Sequence, residues 1–289
     1  MIFCILRIFP LFGLVCTLFL CSCSLVTALD KKERPARVYF LNVGQGDACL
    51  LRTPVNRYLL FDLGNHDGFI IPFLKSVGVD TLDAIFISHP DLDHYGSFLA
   101  VLKTFPVKKV YLPVGTSPNP QWLAVINALD EFQGQKETLL AGDTLLFSDG
   151  IGIHVLWPFF RTDFKGNNLS QVLRVEYANQ ALLLTGDIEN EGEMGLLAGG
   201  QRLDAQLLKV AHHGSRTSNG LPFLSAVSPR WAIISCDSSV YGHPHPEAVA
   251  DLNYIIGDST HVLRTDRLGS LVFDITSQGV QQVTERFDL

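Results

Sequence analysis

The sequence predicts an α/β fold, a four-layer αββα sandwich, and three observations carry that expectation. Short apolar runs bounded by turn residues recur in both halves of the chain, amphipathic stretches alternate with them, and no Pro/Ser-rich linker divides the two halves. Two sheet-building halves with helices on their outer faces leave the inner faces to meet. Of the 289 residues, 47% are hydrophobic and 18% charged, which excludes a disordered or fibrous chain and suffices for one large core. One domain is expected over residues 36–289, preceded by a separate leader over 1–23.

The elements follow in order. Apolar runs at 38–43, 48–53 and 58–62, separated by Gly-Gln-Gly-Asp and Pro-Val-Asn-Arg turns, read as strands. A helix over 69–77, a strand at 85–87, a helix over 96–104, a strand at 107–112 and an amphipathic helix over 121–132 come next. The second half continues with strands at 172–177, 181–185, 205–211 and 231–235, interleaved with helices over 189–197 and 246–255. Strands near 262 and over 271–275 close the chain.

The amino terminus differs in kind. No charge occurs from residue 8 to residue 29, and Arg7 is the only basic residue before that run. The run contains Leu20-Cys-Ser-Cys23, which resembles a bacterial lipobox and would make Cys23 the lipidated first residue of an exported lipoprotein. An uncleaved anchor is the alternative, since 22 uncharged residues can span a bilayer. Lys31, Lys32, Arg34 and Arg37 beyond the run oppose export under the positive-inside rule. The lipobox carries the expectation of a membrane-anchored protein on the periplasmic or extracellular face. Cys4, Cys16, Cys21 and Cys23 belong to the leader, leaving Cys49 and Cys236 as buried thiols or a single bridge. The formal net charge of −7 does not attract a polyanion from a distance, so any nucleic-acid contact has to be local to a basic pocket.

The chemistry concentrates at residues 88–94, Ser-His-Pro-Asp-Leu-Asp-His. His89, Asp91, Asp93 and His94 follow an apolar strand and bring four ligand-type side chains into one loop at a sheet edge, where open α/β sheets bind ligands. Two imidazoles with two carboxylates suit zinc or manganese. Further strand ends carry Asp62, Asp187, the pair His212-His213, and His243 in Gly-His-Pro-His. Core packing does not require an acid or a histidine at each strand end.

These stretches, with Phe40-Leu-Asn-Val-Gly-Gln-Gly-Asp47 and Gly166-Asn-Asn-Leu-Ser-Gln171, resemble in order the metallo-β-lactamase superfamily. Within it they are similar to the soluble hydrolase domain of ComEC/Rec2-type DNA-uptake proteins. The resemblance spans nearly all of the chain beyond the leader. It implies the αββα metallo-β-lactamase sandwich and two divalent ions, zinc or manganese. His89 and Asp91 would serve one ion, Asp93 and His94 the other, and Asp187 would bridge them. A histidine of the pair completes the second ion's shell, with His213 favoured and His212 facing the substrate. Asp93, Asp187 and His212 form the implied catalytic set, with a water shared by the ions as nucleophile. Asp47 and Asp62 would orient ligating imidazoles, or act as turn formers. Asn168, Ser170, Ser215 and His243 are expected to hold the oxygens of a phosphodiester or other anionic substrate, with turn and capping roles as the alternative, and Lys209 is expected beside the site, where its charge favours an anionic substrate.

Departures narrow the chemistry. The commoner pattern has His where Asp91 stands, and a further histidine ligand before the bridging aspartate. The only histidine between His94 and Asp187 is His154, which reads as a strand residue. More oxygen in the ligand set shifts preference from zinc toward manganese or magnesium and argues against β-lactam or thioester cleavage. The multi-helix channel region of full ComEC proteins is missing, so a channel would have to be a separate partner. The expected function is a membrane-tethered phosphodiesterase or nuclease linked to DNA uptake. The alternatives are a hydrolase of phosphorylcholine-like small esters and a non-catalytic metal-binding subunit of a DNA-uptake or envelope complex.

Overall fold

The computed structural model describes residues 34–65, 68–160 and 163–285. The leader, with Cys23, lies outside the described residues. The first half runs β1 (Ala36–Phe40), β2 (Ala48–Arg52), β3 (Tyr58–Leu63), α1 (Ile70–Ser76), β4 (Ala84–Phe86), α2 (Leu92–Tyr95), α3 (Phe98–Thr104), β5 (Lys109–Leu112), α4 (Pro120–Asp130) and β6 (Gln135–Thr138). The second half runs β7 (Thr144–Leu146), β8 (Gly152–Trp157), β9 (Val172–Tyr177), β10 (Gln180–Leu184), α5 (Asn190–Ala198), β11 (Leu207–Lys209), α6 (Leu221–Val227) and β12 (Trp231–Ile234). It ends with α7 (Pro246–Ile256), β13 (Val262–Arg264), α8 (Thr265–Leu268), β14 (Leu271–Thr276) and β15 (Gly279–Val283).

Two mixed sheets result, ordered β15-β14-β1-β2-β3-β4-β5-β6 and β13-β12-β11-β10-β9-β8-β7. The carboxy-terminal hairpin crosses back to the first sheet, where β14 pairs antiparallel with β1. Three apolar clusters account for the layers. One lies between the sheets, joining Phe40, Phe61, Phe86 and Tyr111 of the first to Val155, Leu173, Leu182 and Leu207 of the second. A second seats α1, α3 and α4 on the first sheet through Phe73, Phe98 and Trp122. The third seats α5, α6 and α7 on the other sheet through Leu196, Phe223 and Leu252. Burial on both faces explains why the central strands read as continuous apolar runs rather than alternating ones.

Helix ends follow local chemistry. Asn119 caps α4 by accepting from the Gln121 N–H, Pro120 occupies the first helical position, and Trp122, Val125 and Leu129 form the buried stripe. Left-handed Gly257 stops α7.

Several expectations need correction. The strand expected over 205–211 is three residues long, and the helix expected over 96–104 begins at Phe98. The ligand-bearing stretch is not wholly loop, because Asp93 and His94 sit on α2. The chain also forms β6, β7, α6 and β15, which the apolar pattern does not announce. Cys49 and Cys236 are buried free thiols. His154 lies in β8 beside Glu176 and Thr144, 3.2 and 3.3 Å away, as a strand residue. Among the described residues no helix is long and apolar enough to cross a membrane.

Candidate metal centre

Three strand ends and their following turns build the site. β4 leads through Ser88 into His89 and Asp91, and the chain then coils into α2. β10 leads through Thr185-Gly186 to Asp187, and β11 leads through Val210 into a tight turn over Ala211–Gly214. Glycines permit the close approaches. Gly46 has φ +136°, and a Cβ there would stand 2.4 Å from the Asp93 carbonyl oxygen. Gly186, at φ +50°, passes between Ser88 and Ser170.

Each buried imidazole is held from behind. His94 Nδ1 lies 2.8 Å from Asp62 Oδ2, and the same carboxylate accepts from the Ser88 N–H and hydroxyl, both at 2.7 Å. With the Ser88 proton given to Asp62, His89 Nδ1 at 3.0 Å is the donor to the Ser88 oxygen. His213 Nδ1 donates to the Ser235 carbonyl at 2.8 Å. All three rings therefore turn Nε2 into the site, and each Nε2 is buried without a hydrogen-bond partner. A back-side acceptor that fixes the tautomer is how metal-ligating histidines are usually oriented.

The free atoms converge on Asp187. Its Oδ1 is 3.3 Å from His94 Nε2, and its Oδ2 is 3.3 Å from His213 Nε2 and 3.9 Å from His89 Nε2. Asp93 Oδ2 is 3.3 Å from His213 Nε2, and Asp91 Oδ2 is 3.7 Å from His89 Nε2. One donor atom from each of Asp93, His94, Asp187 and His213 lies within 4.8 Å of the others. Buried donors with no protein partner and two carboxylates facing them fit a divalent cation.

The electrostatics keep the acids ionised. Burial opposes ionisation of Asp187, but the His213 and His94 imidazoles hold it well below the usual carboxylate range. Burial likewise disfavours the Asp47 carboxylate, and the Lys209 ammonium overrides it, bringing Asp47 down to about 2. Asp47 Oδ1 stands 3.4 Å from His213 Nδ1, so this ion pair lies behind the ring.

Residues 41–238 match the family model of the Metallo-beta-lactamase superfamily. The chain belongs to this superfamily. ComE operon protein 3 of Bacillus subtilis (strain 168) is 33% identical over 256 residues, covering 82% of this chain and 32% of that protein. Competence protein ComA of Neisseria gonorrhoeae is 36% identical over 254 residues, covering 86% and 34%. The chain thus spans about a third of the length of these curated relatives. Two solved structures share the fold. CmlA, a diiron beta-hydroxylase from Streptomyces venezuelae, has a TM-score of 0.54 at 12% identity over 80% of this chain and 53% of that one. Igni18, a metallo hydrolase from Ignicoccus hospitalis KIN4/I, has a TM-score of 0.51 at 13% identity over 87% and 100%.

Within this metallo-β-lactamase fold, His89, Asp91, Asp93, His94, Asp187 and His213 are brought together. His212 stands at the mouth, its side chain 20% exposed, with Nε2 3.9 Å from Asp187 Oδ2. The two histidines separate by burial, since His213 points inward and His212 outward. Asp47 and Asp62 sit behind the His213 and His94 rings, on their Nδ1 sides. Four residues expected to meet substrate are otherwise engaged. Lys209 is 3% exposed, paired with Asp47, and donates to the Val210 carbonyl, so its charge is spent inside the fold. Asn168 Oδ1 accepts from the Glu189 and Gly192 N–H groups at the start of α5. The fully buried Ser170 accepts from the Asp187 N–H and thereby seats that residue. Ser215 is buried and closes a turn with Thr217. His243 is at the rim, its ring 5.7 Å from that of His212 and 6.3 Å from that of His213.

Two participants escaped the sequence reading. Ser88 links Asp62 to both His89 and His94, and its position directly before the first histidine was the available signal. Glu189 Oε1, 3.4 Å from His212 Nδ1, lies two residues after Asp187 and reads there as an ordinary helix-start acid.

Proposed function

We propose that the chain is a membrane-tethered, two-metal phosphodiesterase that acts on nucleic acid in connection with DNA uptake. The observation that carries the reading is the set of three buried imidazoles, each fixed by a back-side hydrogen bond, whose free Nε2 atoms face one carboxylate. His94, Asp93 and His213 would hold one ion, His89 and Asp91 the other, with Asp187 between them. When bound, two manganese or zinc ions supply Lewis acidity and an activated water at neutral pH, so no Ser or Cys nucleophile is required.

The chain's own groups do the rest. Glu189 engages His212 at Nδ1, which leaves Nε2 toward the mouth as an acceptor that can take up the proton released by the attacking water. The fixed carboxylates set where an anionic phosphoryl group can sit only once cations offset them. Exposed Arg216 and Lys165 flank residues that touch His212 and add local positive charge to an otherwise acidic chain. The similarity to two proteins named for competence supports the link to DNA uptake. The leader with Cys23 supports an exported, membrane-attached location, and a separate channel protein is the partner such a chain would serve.

The net charge of −7 favours a second reading, in which the same site hydrolyses small anionic esters such as those of phosphorylcholine. Manganese-loaded protein is incubated with single-stranded and duplex DNA and, separately, with an aryl phosphorylcholine ester. Metal-dependent DNA cleavage is expected. Turnover of the choline ester with DNA left intact would shift the assignment to the small-ester reading. Metal uptake without turnover of either would indicate a binding subunit.

A further inference from the structure

His212 and His213 both have left-handed backbone, with φ of +48° and +53°. Neither is glycine, so the turn that aims His213 at Asp187 is a conformation a free chain would rarely populate. Something must over-determine it. The side chain of Asn219 clasps the residue just before the pair, accepting from the Ala211 N–H at 3.1 Å and donating to the Ala211 carbonyl at 3.0 Å. Asn219 is in turn held by Glu193 of α5, whose two carboxylate oxygens accept from the Asn219 and Gly220 N–H groups. Asn219 is 1% and Glu193 2% exposed, so water does not replace these bonds. The same amino-terminal turn of α5 is also held by Asn168, whose Oδ1 accepts from the Glu189 and Gly192 N–H groups beside Glu193.

We infer that Glu193 and Asn219 form a clamp that positions the His212–His213 turn for metal binding, with Glu193 acting through Asn219. Neither residue touches the converging donor atoms, so both are positioning residues. Nothing in helix packing requires a buried carboxylate on α5, whereas a loop whose backbone must keep one geometry does. Asn219 itself has φ +67°, so Asn219→Gly retains the backbone conformation while deleting both side-chain bonds. Glu193→Gln retains one acceptor of the two and is the milder variant. The inference rests on reading His213 as a metal ligand.

The test uses cobalt(II) as the probe on the full chain, metal-stripped and then reloaded. Affinity is read by competition with a chromophoric chelator and coordination by the visible absorption bands. Asn219→Gly is expected to weaken cobalt binding about 10- to 100-fold, the range for residues that orient ligands, and to shift the bands. Glu193→Gln is expected to move both readouts in the same direction by less. A lowered Tm with unchanged affinity and unchanged bands would show a merely structural role and overturn the clamp. If Asn219→Gly does not fold, Glu193→Gln decides, and parental affinity and bands in it overturn the inference. Absence of cobalt binding by the parent chain would remove the metal reading and the clamp with it, whereas parental binding in both variants removes the clamp alone.

Discussion

His94 reaches Asp62 through Nδ1 and Asp187 through Nε2, and His213 is placed between Asp47 and Asp187 in the same way. Burial would lower the pKa of each ring, but the surrounding carboxylates win and raise both well above the ordinary imidazole value. In the metal-free chain both rings therefore carry a proton that a cation must displace, because ligands bind deprotonated. Metal affinity is expected to keep rising with pH beyond about 6.5, the value at which unperturbed histidine ligands level off. Competition titrations between about pH 6 and about pH 9 check this. Glu193 behaves differently, since burial pushes it up to about 7. A carboxyl that holds its proton more tightly when folded adds stability that is complete below the unfolded pKa of about 4.5 and is lost as pH rises through about 7. The stability of Glu193→Gln relative to the parent should grow between about pH 5 and about pH 8 by up to about 3 kcal/mol, measured by urea denaturation.

At the scale of elements, β-strand ends deliver the ligands and glycines bring them together. The Gly44–Asp47 turn rests against α2, where the Asp47 N–H donates to the Asp93 carbonyl at 3.1 Å. Gly46→Ala would drive its Cβ into that carbonyl at a φ that non-glycine residues avoid. A loss of about 1–3 kcal/mol is expected from thermal unfolding, together with weakened metal binding through displaced Asp93. These elements also show what the sequence conveys. Apolar strands ending in His or Asp stand out because core packing does not call for them, so the six converging side chains were legible as a cluster. The polar strand β6 was not, because its residues Gln135–Thr138 are all exposed at a sheet edge and carry no burial pattern. For Asn168, Ser170 and Ser215 the sequence leaves substrate contact and capping both open, and their short side chains satisfy nearby backbone N–H groups. Residue type alone does not reveal which partner such a group takes. Lys209 misled for a related reason, since a lysine between Leu208 and Val210 gives no sign that Asp47 lies beneath it.

On the scale of the whole molecule, the first sheet supplies Asp62, His89, Asp91, Asp93 and His94, while the second supplies Asp187, His212 and His213. A cation at the centre would therefore add a tie between two halves already joined by their shared apolar layer and by the Lys209–Asp47 pair. Binding to the folded chain alone should stabilise it by about 4 kcal/mol at about a thousandfold excess over Kd, visible as a metal-dependent rise in Tm. Asp187→Asn should abolish most of that rise, because it removes a carboxylate that faces all three imidazoles. Hydrolysis of a generic aryl phosphodiester by metal-stripped protein resupplied with manganese or zinc tests the proposed two-metal chemistry most directly. Turnover is expected to appear with metal and to fall to background in Asp187→Asn. No turnover with metal demonstrably bound would contradict that chemistry.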